Sequence, residues 1–107
     1  MTGGFKDREK AFEGKWAHDE EMRFKIEARR NKLLGLWAAG ELGKSGDAAL
    51  AYAKEVVAAD FEEPGEEDVF RKVRKDLDPA KVSDHTIRRQ MADLLETAAE
   101  QVKSETK

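Results

Sequence analysis

Cysteine is absent from the chain. Disulfides and thiolate–metal sites are thereby excluded, and nothing points to an oxidising compartment. Residues suited to strands are scarce: Val, Ile, Thr and Tyr together make 13 of the 107 residues, too few for a β-sandwich or barrel. Proline occurs only twice, so long stretches run without a helix breaker. No window approaches the roughly 18 consecutive apolar residues that a transmembrane helix needs. Met1-Thr2-Gly3-Gly4-Phe5-Lys6 leads directly into charge, without the apolar core of a signal peptide. An excess of positive charge is also missing. The net charge of −3 gives no global basic footprint for nucleic acid and no polybasic membrane anchor. The expectation is one small cytoplasmic domain.

What is present is helical composition. Ala, Leu, Glu, Lys and Arg account for 57 of 107 residues, as in long helices and coiled coils. Charged residues are 40% of the chain and hydrophobic ones 39%, so a heavily charged surface encloses a thin core.

Four helical stretches follow from spacing. Over residues 22–39, Met22, Ile26, Leu33 and Trp37 recur at helical intervals, widened by Leu34 and Leu36. Gly40 and Gly43 supply a stop. Ser45 or Asp47 caps a second helix over about 47–60, facing inward through Leu50, Ala53, Val57 and Phe61. Pro64-Gly65 marks a turn. A third helix over about 66–77 turns Val69, Phe70, Val73 and Leu77 inward and ends at Asp78-Pro79. Ser83 or Asp84 caps a fourth, over about 84–102, with an inward stripe of Ile87, Met91, Leu94, Ala98 and Val102. Short connections make neighbours antiparallel, so the fold class is all-α, a small four-helix bundle. The bundle is placed at 22–103 and a frayed tail at 104–107.

Residues 1–21 read differently. Their large apolar residues are Phe5, Phe12 and Trp16, aligned on one helix face at spacings of seven and four. Gly14 interrupts the stretch at a cost of about 1 kcal/mol relative to Ala. At about 100° per residue, this stripe points roughly 70° away from the Met22/Ile26/Leu33/Trp37 stripe. The segment is therefore read as a mobile arm. Two roles stay open: a helix packed on the bundle, or a recognition helix that orders on a partner with its aromatics as anchors.

Other motifs have plainer readings. Gly43-Lys44-Ser45 ends like a P-loop, but Ala38 stands where the first glycine belongs and no strand precedes it. A helix–helix turn is expected, with weak nucleotide contact as the alternative. His18 and His85 are the only histidines, too few for zinc. The acidic run 60–68 puts Arg71 where an EF-hand needs its last Glu, so it reads as a solvated turn plus carboxylates that complement the dipole of the third helix. The basic run Arg23 to Lys32 reads as a solvated helix face, or as a surface for an acidic partner. No nucleophile–base pair or paired carboxylates stand out, and an enzyme is not expected.

Phe5-Lys6-Asp7-Arg8-Glu9, Ala17-His18-Asp19-Glu20-Glu21 and the run from Ala28 to Ala39 (ARRNKLLGLWAA) resemble the N-terminal half of the zeta subunit of bacterial F-type ATP synthase. The resemblance extends more loosely over the rest of the chain. It implies an inhibitor of ATP hydrolysis, built as a four-helix bundle whose N-terminal segment becomes helical on inserting at a catalytic interface of the enzyme head, against the rotor shaft. The residues it implies for partner binding are Phe5, Lys6, Asp7, Arg8, Glu9, Phe12, Lys15 and Trp16. It further implies a monomer when free, peripheral to the inner membrane through the synthase. No cofactor is implied, although weak adenine nucleotide binding is a property of relatives. The alternatives carried forward are a nucleotide-responsive helical module and an adaptor working through the bundle surface.

Overall fold

The computed structural model describes the backbone of residues 2–59 and 67–105, and side-chain surroundings for 20–59 and 67–105. Four helices are present among the described residues: α1 (Thr2–Glu41), α2 (Gly46–Ala59), α3 (Glu67–Asp76) and α4 (Asp84–Glu105). No strand occurs among the described residues. Each helix packs on the next in chain order and α4 closes on α1, which gives the all-α four-helix bundle expected from the composition.

The turn chemistry explains the helix ends. Gly43 has φ +76°; its N–H bonds to the Gly40 carbonyl at 3.1 Å and the Lys44 N–H to the Ala39 carbonyl at 2.8 Å. These two bonds around a left-handed glycine form the Schellman stop for α1. The Gly40–Ser45 stretch is thus a helix–helix turn. Neither Ser45 nor Asp47 caps α2 with a side-chain bond among the described residues. The left-handed Gly46 (φ +57°) makes the entry instead, and the first turn is exposed to solvent. At α4, Ser83 rather than Asp84 is the cap, its Oγ accepting from the Thr86 N–H at 3.1 Å.

The core comprises Leu34, Ala38, Ala39, Tyr52, Val56, Val69, Phe70, Val73, Leu77, Val82, Ile87 and Met91. The inward stripe of α3 is as expected, and that of α4 is too apart from half-buried Leu94. Those of α1 and α2 are rotated. Met22, Ile26, Leu33 and Trp37 are only half-buried, while Leu34, Ala38 and Ala39 are fully enclosed. On α2, Tyr52, Val56 and Ala59 face the core, Leu50 is 47% exposed, and Val57 is half-buried; Phe61 lies outside the described residues. The cause is close packing of small residues. A Cβ on Gly35 would sit 2.6 Å from the Ala53 Cα, so α1 and α2 meet nearly backbone to backbone, and larger side chains flank the contact.

Polar staples hold the ten-residue α3, a length that is marginal alone. Tyr52 donates to Asp76 Oδ2 at 2.8 Å. Lys72 bridges Asp76 at 2.9 Å and Glu55 at 3.1 Å, with its ammonium 5.2 Å from the Tyr52 ring centroid. Burial, then the bond to Asp76, push the Tyr52 hydroxyl pKa above its ordinary range. Burial opposes ionisation of Asp76, yet its bonds from Lys72 and Tyr52 hold that carboxyl below its ordinary value. On the other flank, Arg88 donates to both Glu67 oxygens and stacks 3.7 Å from the Phe70 ring centroid. The hydrogen bond from Arg88 holds Glu67 below the usual carboxylate range.

Candidate functional site

The eight residues singled out for partner binding, Phe5, Lys6, Asp7, Arg8, Glu9, Phe12, Lys15 and Trp16, all fall on α1. Their side chains lie outside the described residues, as does that of His18. The helix passes the expected arm boundary at residue 21 without a break. Among the described side chains of α1, the fully buried ones begin at Arg30. The stretch from Thr2 to Arg29 is 28 residues, about 42 Å at 1.5 Å per residue.

Two arrangements fix α1 where it joins the bundle. Arg29 makes a double bond pair to Glu105, both contacts at 2.7 Å, and also donates to Gln101 Oε1 at 2.8 Å. A fork of this kind constrains direction as well as distance. The hydrogen bond from Arg29 holds the Glu105 carboxyl below its usual range, and the same bond raises the guanidinium despite some desolvation. The contact explains why Ser104 and Glu105, expected in a frayed tail, continue α4. One position further along α1, Arg30 is 1% exposed and its Nε donates to Asn31 Oδ1 at 2.8 Å. Asn31 is wholly buried, and its Nδ2 has no hydrogen-bond partner among the described residues.

The basic run Arg23 to Lys32 therefore is not one solvated face. Arg23, Lys25 and Lys32 are exposed, Arg29 clamps α4, and Arg30 is inside. Buried Arg30 and Asn31 escaped the sequence reading because charged residues on a helix ordinarily mark the outer face. Their one signal is the four-residue interval between Arg30 and Leu34 and between Leu34 and Ala38.

The other candidate groups hold no chemistry in common. His85 is exposed. Of the acidic run, residues 60–66 lie outside the described residues, while Glu67 and Asp68 open α3. Asp68 was expected in a solvated turn but is 8% exposed and pairs with Arg71 at 2.9 Å, because it sits where α3 enters the core beside Val69 and Phe70. Among the described residues there is no cluster able to hold a metal ion and no helix long and apolar enough to cross a membrane. What the arrangement offers is mechanical: a long helix, clamped about two-thirds of the way along at Arg29 and packed into the bundle beyond it.

Comparison with known proteins bears on what that helix does. The family described as ATPase inhibitor subunit zeta matches residues 1–101. A solved structure titled as the solution NMR structure of a protein is 56% identical, with a TM-score of 0.72, covering 78% of this chain and 98% of that one. No curated protein matches the chain.

Proposed function

Because the chain belongs to the ATPase inhibitor subunit zeta family, we propose that it restrains ATP hydrolysis by F-type ATP synthase by presenting residues 1–21 to a catalytic interface of the enzyme head, against the rotor shaft. The observation that carries the reading is the build of α1. It is one helix from Thr2, and among its described side chains the fully buried ones begin only at Arg30. A helix is narrow, about 10–12 Å across with its side chains, and a bundle is much wider. The first stretch can enter a cleft that the bundle cannot, and the bundle acts as the stop.

In this mechanism Phe5, Phe12 and Trp16 bury apolar area at about 25 cal/mol per Å². That offsets the roughly 1–2 kcal/mol per residue lost by any backbone that orders on binding. Lys6, Asp7, Arg8, Glu9 and Lys15 set register and assist encounter through charge. The inserted helix obstructs rotation in the hydrolytic direction and much less in the synthetic one. The chain performs no catalysis of its own, needs no cofactor, is a monomer when free, and sits at the inner membrane through the synthase. Deleting residues 2–17 tests this: inhibition of the cognate enzyme head is expected to vanish while the α-helical circular dichroism of the bundle remains. Undiminished inhibition by the truncated chain would remove the arm as effector.

A further inference from the structure

The rotation of α1 and α2 leaves apolar side chains outside. Leu50 and Val57, which helical spacing assigns to the core, instead line a surface trough between α1 and α2, with Ala53 and Ala58 in its floor. The trough holds about 380 Å³. It runs on, through Lys32 and Val57, into an open cavity of about 590 Å³ bounded by Phe24, Ala28, Val102 and the Arg29–Glu105 clamp. Phe24 is 58% exposed there. The whole depression therefore extends from the outer flank of α2 to the point where α1 leaves the bundle.

Apart from Glu105, which pairs with Arg29, the charged groups that line it are positive. Lys25, Lys32 and Lys54 line it, all three exposed, and none has an ion-pair partner among the described residues. Elsewhere on this chain cations are widely paired: Arg29 with Glu105, Lys72 with Asp76 and Glu55, Arg74 with Asp84, Arg88 with Glu67. Three ammonium groups without an ion pair among the described residues thus stand around apolar ground, on a chain of net charge −3.

We infer that this trough is a second docking surface, which receives an acidic amphipathic helix of the synthase head beside the mouth of the cleft that the arm enters. The position rests on the inhibitory reading: the trough ends at the root of the arm, so whatever borders the cleft lies against it. The chemistry of the occupant rests on the trough itself. An apolar floor between two helix flanks takes side chains spaced three and four apart on a partner helix, and the lysines take flanking carboxylates. A nucleotide fits less well. The trough walls are helix flanks, whose N–H groups are used within the helices, and the Gly40–Ser45 turn does not line it. A phosphate would meet only flexible lysines.

The test uses the full chain and the purified catalytic head of the cognate synthase, stripped of its own inhibitor. Binding and hydrolysis are measured for the parent, for a variant combining Lys25→Glu, Lys32→Glu and Lys54→Glu, and for a variant combining Phe5→Ala, Phe12→Ala and Trp16→Ala. Lys32→Glu alone serves if the triple reversal lowers the melting temperature. The charge-reversed chain is expected to bind about tenfold or more weakly, with a flatter dependence on salt. The arm variant is expected to keep lysine-dependent binding while losing inhibition. Parental affinity in the charge-reversed chain at low salt overturns the docking surface and leaves the arm mechanism standing. Lysine-dependent binding by a parent that does not inhibit keeps the docking surface and removes the inhibitory reading. A parent that neither binds nor inhibits removes both. Amide shifts of Lys32, Lys54 and Val57 on titration with ATP, without any effect of the reversals on binding to the head, assign the trough to nucleotide instead.

Discussion

Replacing Gly35 by Ala separates backbone propensity from packing. In an isolated helix the change stabilises by about 1 kcal/mol. Here the new Cβ lies 2.6 Å from the Ala53 Cα, 3.1 Å from its Cβ and 3.3 Å from the Val56 Cβ. The nearest atom is backbone and cannot rotate away. Reaching ordinary contact at 3.4 Å requires α1 and α2 to part by about 0.8 Å locally. A gap of that size forfeits roughly a quarter to a half of the dispersion attraction of the contacts it opens, and the contacts concerned include those of Leu34, Tyr52 and Val56. Overpacking of this kind costs about 1–3 kcal/mol. Less the propensity gain, this leaves a net destabilisation of up to about 2 kcal/mol. In a domain of this size that lowers Tm by up to roughly 10 °C. Gly40 is the control. It lies in the same helix, its φ is not positive, and nothing stands within 4 Å of an added Cβ. Gly40→Ala is expected to raise stability by about 0.5 kcal/mol, less than mid-helix because it sits in the last turn. Urea unfolding followed by circular dichroism compares the two variants at equal m-values. A Gly35→Ala protein as stable as the Gly40→Ala protein would refute the close-packed crossing.

Acid is expected to weaken the fold in a defined window. Glu67, Asp76 and Glu105 are held below their ordinary values of 4.5, 3.8 and 4.5 in the folded chain. As pH falls, the unfolded chain takes up these protons first, so stability present above the ordinary values is lost as pH descends through the folded ones. The urea midpoint should fall between about pH 5 and pH 3, less steeply after Glu105→Gln; an unchanged slope would remove that clamp from the account. Where the arm orders only on binding, Gly14→Ala is expected to favour its helix by about 1 kcal/mol, so about fivefold less protein gives half-inhibition of the enzyme head. An unchanged half-inhibiting concentration would mean that residue 14 does not become helical on binding.

The sequence yields much of this fold because two of its helices use large side chains in the ordinary way. Val69, Phe70 and Val73 on α3 with Leu77 just after it, and Ile87, Met91, Ala98 and Val102 on α4, are both conspicuous and buried. On α1 the conspicuous residues are not the buried ones. Gly35, Ala38 and Ala39 carry little hydrophobic signal, yet they permit the approach that sets the helix rotation. The backbone of α1 runs past residue 21 without a break. On α2 the same kind of displacement turned Leu50 outward and created the trough.

The arm was read in the sequence from the seven-and-four spacing of three aromatics in a charged segment. Its root was not. Arg29 and Arg30 are neighbours of one type, and only tertiary packing distinguishes the guanidinium that clamps α4 from the one enclosed beside Asn31.

The central claim is that the first turns of α1 inhibit. The most direct measurement is ATP hydrolysis by the cognate synthase head, stripped of its own inhibitor, with the parent chain and with the chain carrying Phe5→Ala, Phe12→Ala and Trp16→Ala. The account predicts that the parent suppresses hydrolysis and that the triple change relieves it, with the bundle's thermal unfolding unaltered. Equal suppression by both chains would contradict it.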